Sequence, residues 1–173
     1  EYSGTVNASS VNTITGSASD VNSVYESLGI TNLSNAAVTL SGTNTVSQVN
    51  SIAVSMFLAN PLTPGLLTAT ISDNDIDTLS GISESGNALT ITVTDTSVDA
   101  SALTALDAKT SVAVGVNTTT ITGTAAQVNA VYEANTAGSI TGLGTEAITI
   151  SDTSIDASAL KTLDTFTTGT VNA

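Results

Sequence analysis

The chain has 173 residues, a formal net charge of −13, 40% apolar and 3% aromatic residues, and neither cysteine nor histidine. These absences exclude disulfides, thiolate chemistry and imidazole bases or metal ligands. A polyanion whose only cations are Lys109 and Lys161 is repelled by nucleic acid and by anionic membrane surfaces, so neither is an expected partner.

Glu1 to Ala8 lacks the basic start and apolar run of a targeting segment. The first periodic segment, Thr13-Ile14-Thr15, alternates and is β-branched, which predicts a strand with Ile14 inward and two hydroxyls outward. Ser17 and Asp20 then stand at capping-box spacing, and Val21 with Val24 forms the apolar stripe of a short helix. The succession returns as Thr39-Leu40-Ser41, Thr45 with Gln48, and Val49 with Ile52. The apolar stretch that follows is interrupted by Asn60, Pro61, Thr63, Pro64 and Gly65, too broken to span a bilayer, and predicts a loop insertion over 53–67.

A third copy runs through Thr70-Ile71-Ser72, Asn74 with Asp77, and Ile76 with Leu79; a fourth through Thr92-Val93-Thr94, Thr96 with Asp99, and Leu103 with Leu106. The fifth is Thr120-Ile121-Thr122, Thr124 with Gln127, and Val128 with Val131; the sixth is Thr149-Ile150-Ser151, Thr153 with Asp156, and Leu160 with Leu163. Longer identities tie them together. ITGSASDVNSVYE from Ile14 returns as ITGTAAQVNAVYE from Ile121, and DTSVDASALTALD from Asp95 as DTSIDASALKTLD from Asp152. GTVNA from Gly4 recurs from Gly169, so both ends stand at one phase of the repeat.

Together these predict an α/β fold: a strand-helix solenoid of about six coils, with equivalent strands stacked into a parallel sheet and short helices on the other side. Residues 1–173 are expected to form one solenoid domain, an excerpt from a longer array or one subunit of a stacked polymer.

The runs GTVNASSVNTITGSASDVNSVY and ISDTSIDASALKTLDTFTTGTVNA resemble the Thr-, Ala- and Val-rich acidic repeats of very large secreted surface proteins of marine cyanobacteria. The resemblance covers all but the 53–67 insertion. It implies an extracellular, cell-surface, structural or adhesive role without catalysis. The coil is also similar in architecture to leucine-rich repeats, although the consensus asparagine of that family has no consistent counterpart.

Fifteen carboxylates invite a calcium reading. Asp20, Asp77, Asp99 and Asp156 are occupied by capping. The turn position after each strand holds Gly16, Gly42, Asp73, Asp95, Gly123 and Asp152. Asp73 and Asp95 in adjoining coils would stack about 5 Å apart and repel unless a cation intervenes. A calcium ion near Asp73, Asp75 and Asp95 is the metal expectation. Asp73, Asp75, Asp77 and Glu84 also match positions of an EF-hand loop, but Thr78 replaces its turn glycine, so the match is read as accidental.

Stacking would align Thr13, Thr39, Thr70, Thr92, Thr120 and Thr149 in one hydroxyl file, and Thr15, Ser41, Ser72, Thr94, Thr122 and Ser151 in a second. Such a face could order ice or bind glycan, or be an ordinary outward strand surface. Tyr25 and Tyr132 hold equivalent positions, suited either to stacking on a sugar or to packing on the return segment. Serines lack a base and the two lysines differ in helix position, so no catalytic constellation exists. The functional expectation is a structural or adhesive extracellular segment self-associating through solenoid ends; the alternative is a module binding calcium or another divalent cation, glycan or ice.

Overall fold

The computed structural model describes residues 4–33 and 35–173; Glu1 to Ser3, part of the expected 1–173 domain, and Ser34 lie outside the described residues. The fold is mixed α/β, and every pairing between its named strands is parallel. The elements run β1 (Val6–Asn7), β2 (Thr13–Gly16), α1 (Ala18–Glu26), β3 (Ile30–Thr31), β4 (Ala37–Asn44), α2 (Val46–Ala59), β5 (Leu67–Ile71), α3 (Ile76–Leu79), β6 (Ala88–Thr90), β7 (Thr92–Val93) and β8 (Ser97–Asp99). They continue with α4 (Ala100–Asp107), β9 (Val114–Val116), β10 (Thr120–Gly123), α5 (Ala125–Ala137), β11 (Ile140–Thr141), β12 (Ala147–Ile150), α6 (Ala157–Asp164) and β13 (Val171–Asn172).

Two four-stranded sheets, ordered β2-β4-β5-β6 and β13-β12-β10-β8, account for most of the pairing; β11-β9-β7 and β1-β3 form smaller ones. Strands join partners about one repeat away, as in Ile14↔Val38, Val38↔Leu67 and Ile121↔Ile148. Parallel pairing at that separation requires a crossover, and the helices supply most of them. Helix neighbours are α1 with α2, α3 with α4, α4 with α5, and α5 with α6. Inward aliphatic residues from Ala18 to Leu163 merge into one buried cluster, including Val38, Leu67, Leu89, Ile121 and Ile148 from strands and Val49, Ile52, Leu103, Leu106, Val128 and Val131 from helices.

Three expectations need correction. The helices of the aspartate-containing units start later than the Asn74, Thr96 and Thr153 spacing implies, because their N-caps are Asp75, Asp99 and Asp156. An aspartate cap accepts from the N2 and N3 amides as well as a hydroxyl does. In the fourth unit Ser97–Asp99 becomes strand β8, pairing Val98 with Ile121.

About half of the 53–67 insertion is not loop: α2 continues to Ala59, held by buried Ala53 and Met56, and the irregular part is the connection 60–66 before β5. The Thr files also fail. Thr15 pairs with Thr39, Thr39 with Thr68, and Thr43 with Thr70, because β4 advances four positions from Thr39 to Thr43 while β5 advances two from Thr68 to Thr70. Thr92 belongs to another sheet, opposite Gly115, and Thr122 pairs with Thr149.

Candidate functional site

The joints between units carry the most specific polar chemistry. A helix start leaves amide donors without intrahelical partners. At α2, Thr45 and Gln48 form a reciprocal capping box that occupies the Gln48 amide, while the Val46 amide donates to the Asp73 carboxylate at 2.7 Å. At α5, Thr124 and Gln127 form the same box and the Ala125 amide donates to Asp152 at 2.6 Å. At α3, Asp75 accepts from the Asp77 and Thr78 amides, and the Ile76 amide donates to Asp95 at 2.9 Å.

Each of these turn aspartates follows a strand and reaches back to the first residue of the preceding helix, 27, 19 and 27 residues earlier. A carboxylate at a helix N-terminus also meets the positive end of its dipole. Asp73, Asp95 and Asp152 therefore act as latches between consecutive units. Asn50 makes a further joint, donating to the Gly81 carbonyl at 2.8 Å and accepting from the Ser83 amide at 3.1 Å.

This geometry places the three residues of the calcium expectation in capping roles: Asp73 on α2, Asp75 on α3 and Asp95 on α3. Among the described residues there is no group of three or more acidic side chains arranged to hold a metal ion. Asp75 is held below the usual carboxylate range, first by the Thr78 amide, and Asp156 likewise, first by the Ser158 hydroxyl.

The candidate ligand face is divided. Thr13, Thr15 and Thr39 belong to the β2-β4 half of one sheet, with Thr70 on β5; Thr92 lies on β7, with Thr94 just beyond it; Thr120, Thr122 and Thr149 belong to the β10-β12 pair. The structure brings only short pairs of these hydroxyls into register, namely Thr15 with Thr39 and Thr122 with Thr149.

Tyr132 is buried and stacks on Phe166, with ring centroids 4.9 Å apart and planes 7° apart. Its hydroxyl donates to the buried Glu146 carboxylate, which also accepts from the Gly144 and Thr145 amides at 2.9 and 3.0 Å. Burial, reinforced by Glu146, holds the Tyr132 phenol far above its ordinary value; burial also raises that of the half-buried Tyr25. Sugar stacking on a pair of exposed tyrosines is thus not what position 132 offers.

Sequence reasoning missed Glu146, the Asn50 joint and an apolar surface where Val54, Phe57, Leu58, Leu62 and Leu66 are exposed. Leu62 is 91% exposed. The only sequence signal for that surface was the surplus of apolar residues in the 53–67 stretch. Comparison with protein-family models, with curated proteins and with solved structures finds no match to this chain.

Proposed function

We propose that the chain is a strand-helix solenoid of about six coils serving as a structural or adhesive segment of an extracellular, cell-surface protein, able to associate end to end, and not an enzyme. The observation that carries this reading is the repeated joint: equivalent strands pair one repeat apart, and carboxylates from one unit cap the helix of the unit before. In such an array each unit touches only its neighbours, so length can be added without redesigning the core, which suits a spacer.

The surface chemistry agrees with that role. Acidic, Thr- and Ser-rich and almost devoid of cations, it offers no electrostatic attraction to a polyanionic partner. The test is location: antibody to the chain should label intact source cells, and surface protease should remove the label. Labelling only after permeabilisation refutes the surface role.

A further inference from the structure

The parallel pair of β5 and β6, in the middle of the chain, opens at its upstream end. Its register begins at Thr68↔Ala88, and carried back it would set Leu67 beside Asn87 and Leu66 beside Gly86. The main chains do not meet there. The Leu67 amide donates to the Asn87 side-chain carbonyl at 3.1 Å instead, and Gly86, at φ +81°, turns its segment away. The other segment cannot follow. Gly65 is pressed so closely on Ala36 that a Cβ would stand 2.1 Å from the Ala36 carbonyl oxygen, and the Leu66 carbonyl accepts from the Val38 amide at 2.8 Å. A cavity of about 260 Å³ is left between the two segments, with Ala53, Met56 and Phe57 of α2 in its lining.

One wall of this slot is an unused edge. Glu84, Ser85 and Gly86 line it, and none of the three makes a hydrogen bond within the described residues. The segment is nonetheless held on both sides: the Ser83 amide donates to Asn50 at 3.1 Å, and the Asn87 carbonyl accepts from the Ser111 amide at 2.9 Å. Free main-chain donors and acceptors on a fixed segment are what an added strand pairs with. The other side is apolar, with Phe57 and Leu66 in the lining and Leu58 and Leu62 exposed nearby in sequence. Exposed apolar side chains gathered beside a cavity mark an interaction site.

We propose, independently of the surface reading above, that this slot binds an extended peptide segment of another protein, its main chain pairing along Glu84 and Ser85, a bulky apolar side chain filling the cavity, and a lysine or arginine beside Glu84. The size favours a side chain over a free ligand, because small-molecule sites run to about 300–1,000 Å³. Charge decides the flank. Glu84 is the only charged residue of the lining, and its exposed carboxylate has no partner among the described residues. Lys109 reaches only the neighbouring Ser83 carbonyl, at 3.5 Å. A net charge of −13 attracts a basic segment and opposes a second copy of this chain.

Fluorescence polarisation of the full chain against an array of labelled, end-blocked hexapeptides tests the binding. Each peptide carries leucine or phenylalanine at alternate positions and ends in lysine, serine or glutamate. Lysine-ended members should bind, and glutamate-ended ones about fivefold more weakly at low salt. Ser85→Pro removes an amide that bonds to nothing in the chain, so the fold should survive while binding weakens about tenfold. Phe57→Ser should weaken it similarly by taking away an apolar wall. Glu84→Lys should reverse the preference toward glutamate-ended peptides, which misfolding could not do.

No binding anywhere in the array, equal binding of lysine- and glutamate-ended members, or binding untouched by Ser85→Pro and Phe57→Ser overturns the proposal. So does a different occupant. Dimers of the free chain that Phe57→Ser abolishes assign the slot to a second copy, and decanoate competing as strongly as the best peptide assigns it to a lipid tail.

Discussion

Asp152→Ala isolates one latch. The substitution leaves the Ala125 amide without its carboxylate while the capping box of Thr124 and Gln127 remains. Loss of a helix cap costs about 0.5–2 kcal/mol, and a hydrogen bond to a charged group contributes about 1.5–3 kcal/mol. Asp152 is half-buried, so water can replace part of the bond, and about 1.5 kcal/mol is expected. For a chain of this length that lowers Tm by roughly 3–6 °C, read by circular dichroism. Asp152→Asn keeps an uncharged acceptor and should lose about half as much. Asp164→Ala, an exposed acid of α6, should stay within about 0.5 kcal/mol. Asp73→Ala removes the equivalent latch in the other four-stranded sheet, so its effect should add to that of Asp152→Ala. A latch, unlike a metal site, gives the same Tm in calcium and in chelator. Wild-type stability of Asp152→Ala, or a calcium-induced rise in Tm abolished by Asp73→Asn, refutes the reasoning.

Gly65→Ala should be severely destabilising, by about 3 kcal/mol, because its Cβ would lie 2.1 Å from the Ala36 carbonyl oxygen where two backbone segments cross; thermal melting reads the loss. Tyr132→Phe keeps the stack on Phe166 but takes the hydroxyl donor from the buried Glu146 carboxylate, and should cost about 1–3 kcal/mol in urea denaturation. The raised Tyr132 pKa means that the folded state keeps a proton the unfolded chain gives up above pH 10.0; its stabilisation is complete below that pH and is lost as pH rises from there through the higher folded value. Phenolate absorbance from Tyr132 should accordingly appear together with loss of the far-ultraviolet signal, and its appearance in the folded chain would contradict the burial. Asp75 and Asp156 have the opposite sign: their lowered values stabilise the fold above pH 3.8, and that contribution disappears as acid takes the pH down through their folded values. Acid unfolding should therefore shift to higher pH in Asp75→Asn, and an unchanged midpoint would contradict it.

What the sequence made legible follows the range of the interactions. Ser17, Thr45 and Thr124 were recognisable as caps because their partners lie three residues away. At Thr96 and Thr153 the same spacing misled, since the acid of an apparent box was itself the cap; a local pattern does not distinguish those roles. The turn position of Asp73, Asp95 and Asp152 was readable, but not the amides they hold in an earlier unit. Register failed at β4, where aligning Thr-aliphatic-Thr triplets ignored the irregularity between Thr39 and Thr43. Glu146 left no local trace: its burial depends on Tyr132 and on the Gly144 and Thr145 amides closing around it.

The same turn is built in different ways along the chain, and the choice follows the distance between backbones. Where aspartate stands, the side chain spans the gap to the preceding helix, as at Asp73, Asp95 and Asp152. At Gly123 the gap is closed: φ is +149° and a Cβ would already crowd the Ala100 Cβ and Gln127, so a carboxylate has no room and tight packing of β10 on the start of α4 takes its place. Gly42, at φ +68°, lies within the irregular stretch of β4 instead. Exchanging glycine and aspartate between these positions would therefore not be neutral even though both residues suit turns. The joints are alike in location and unlike in mechanism, a carboxylate bridge at Asp73, Asp95 and Asp152 and close backbone packing at Gly123.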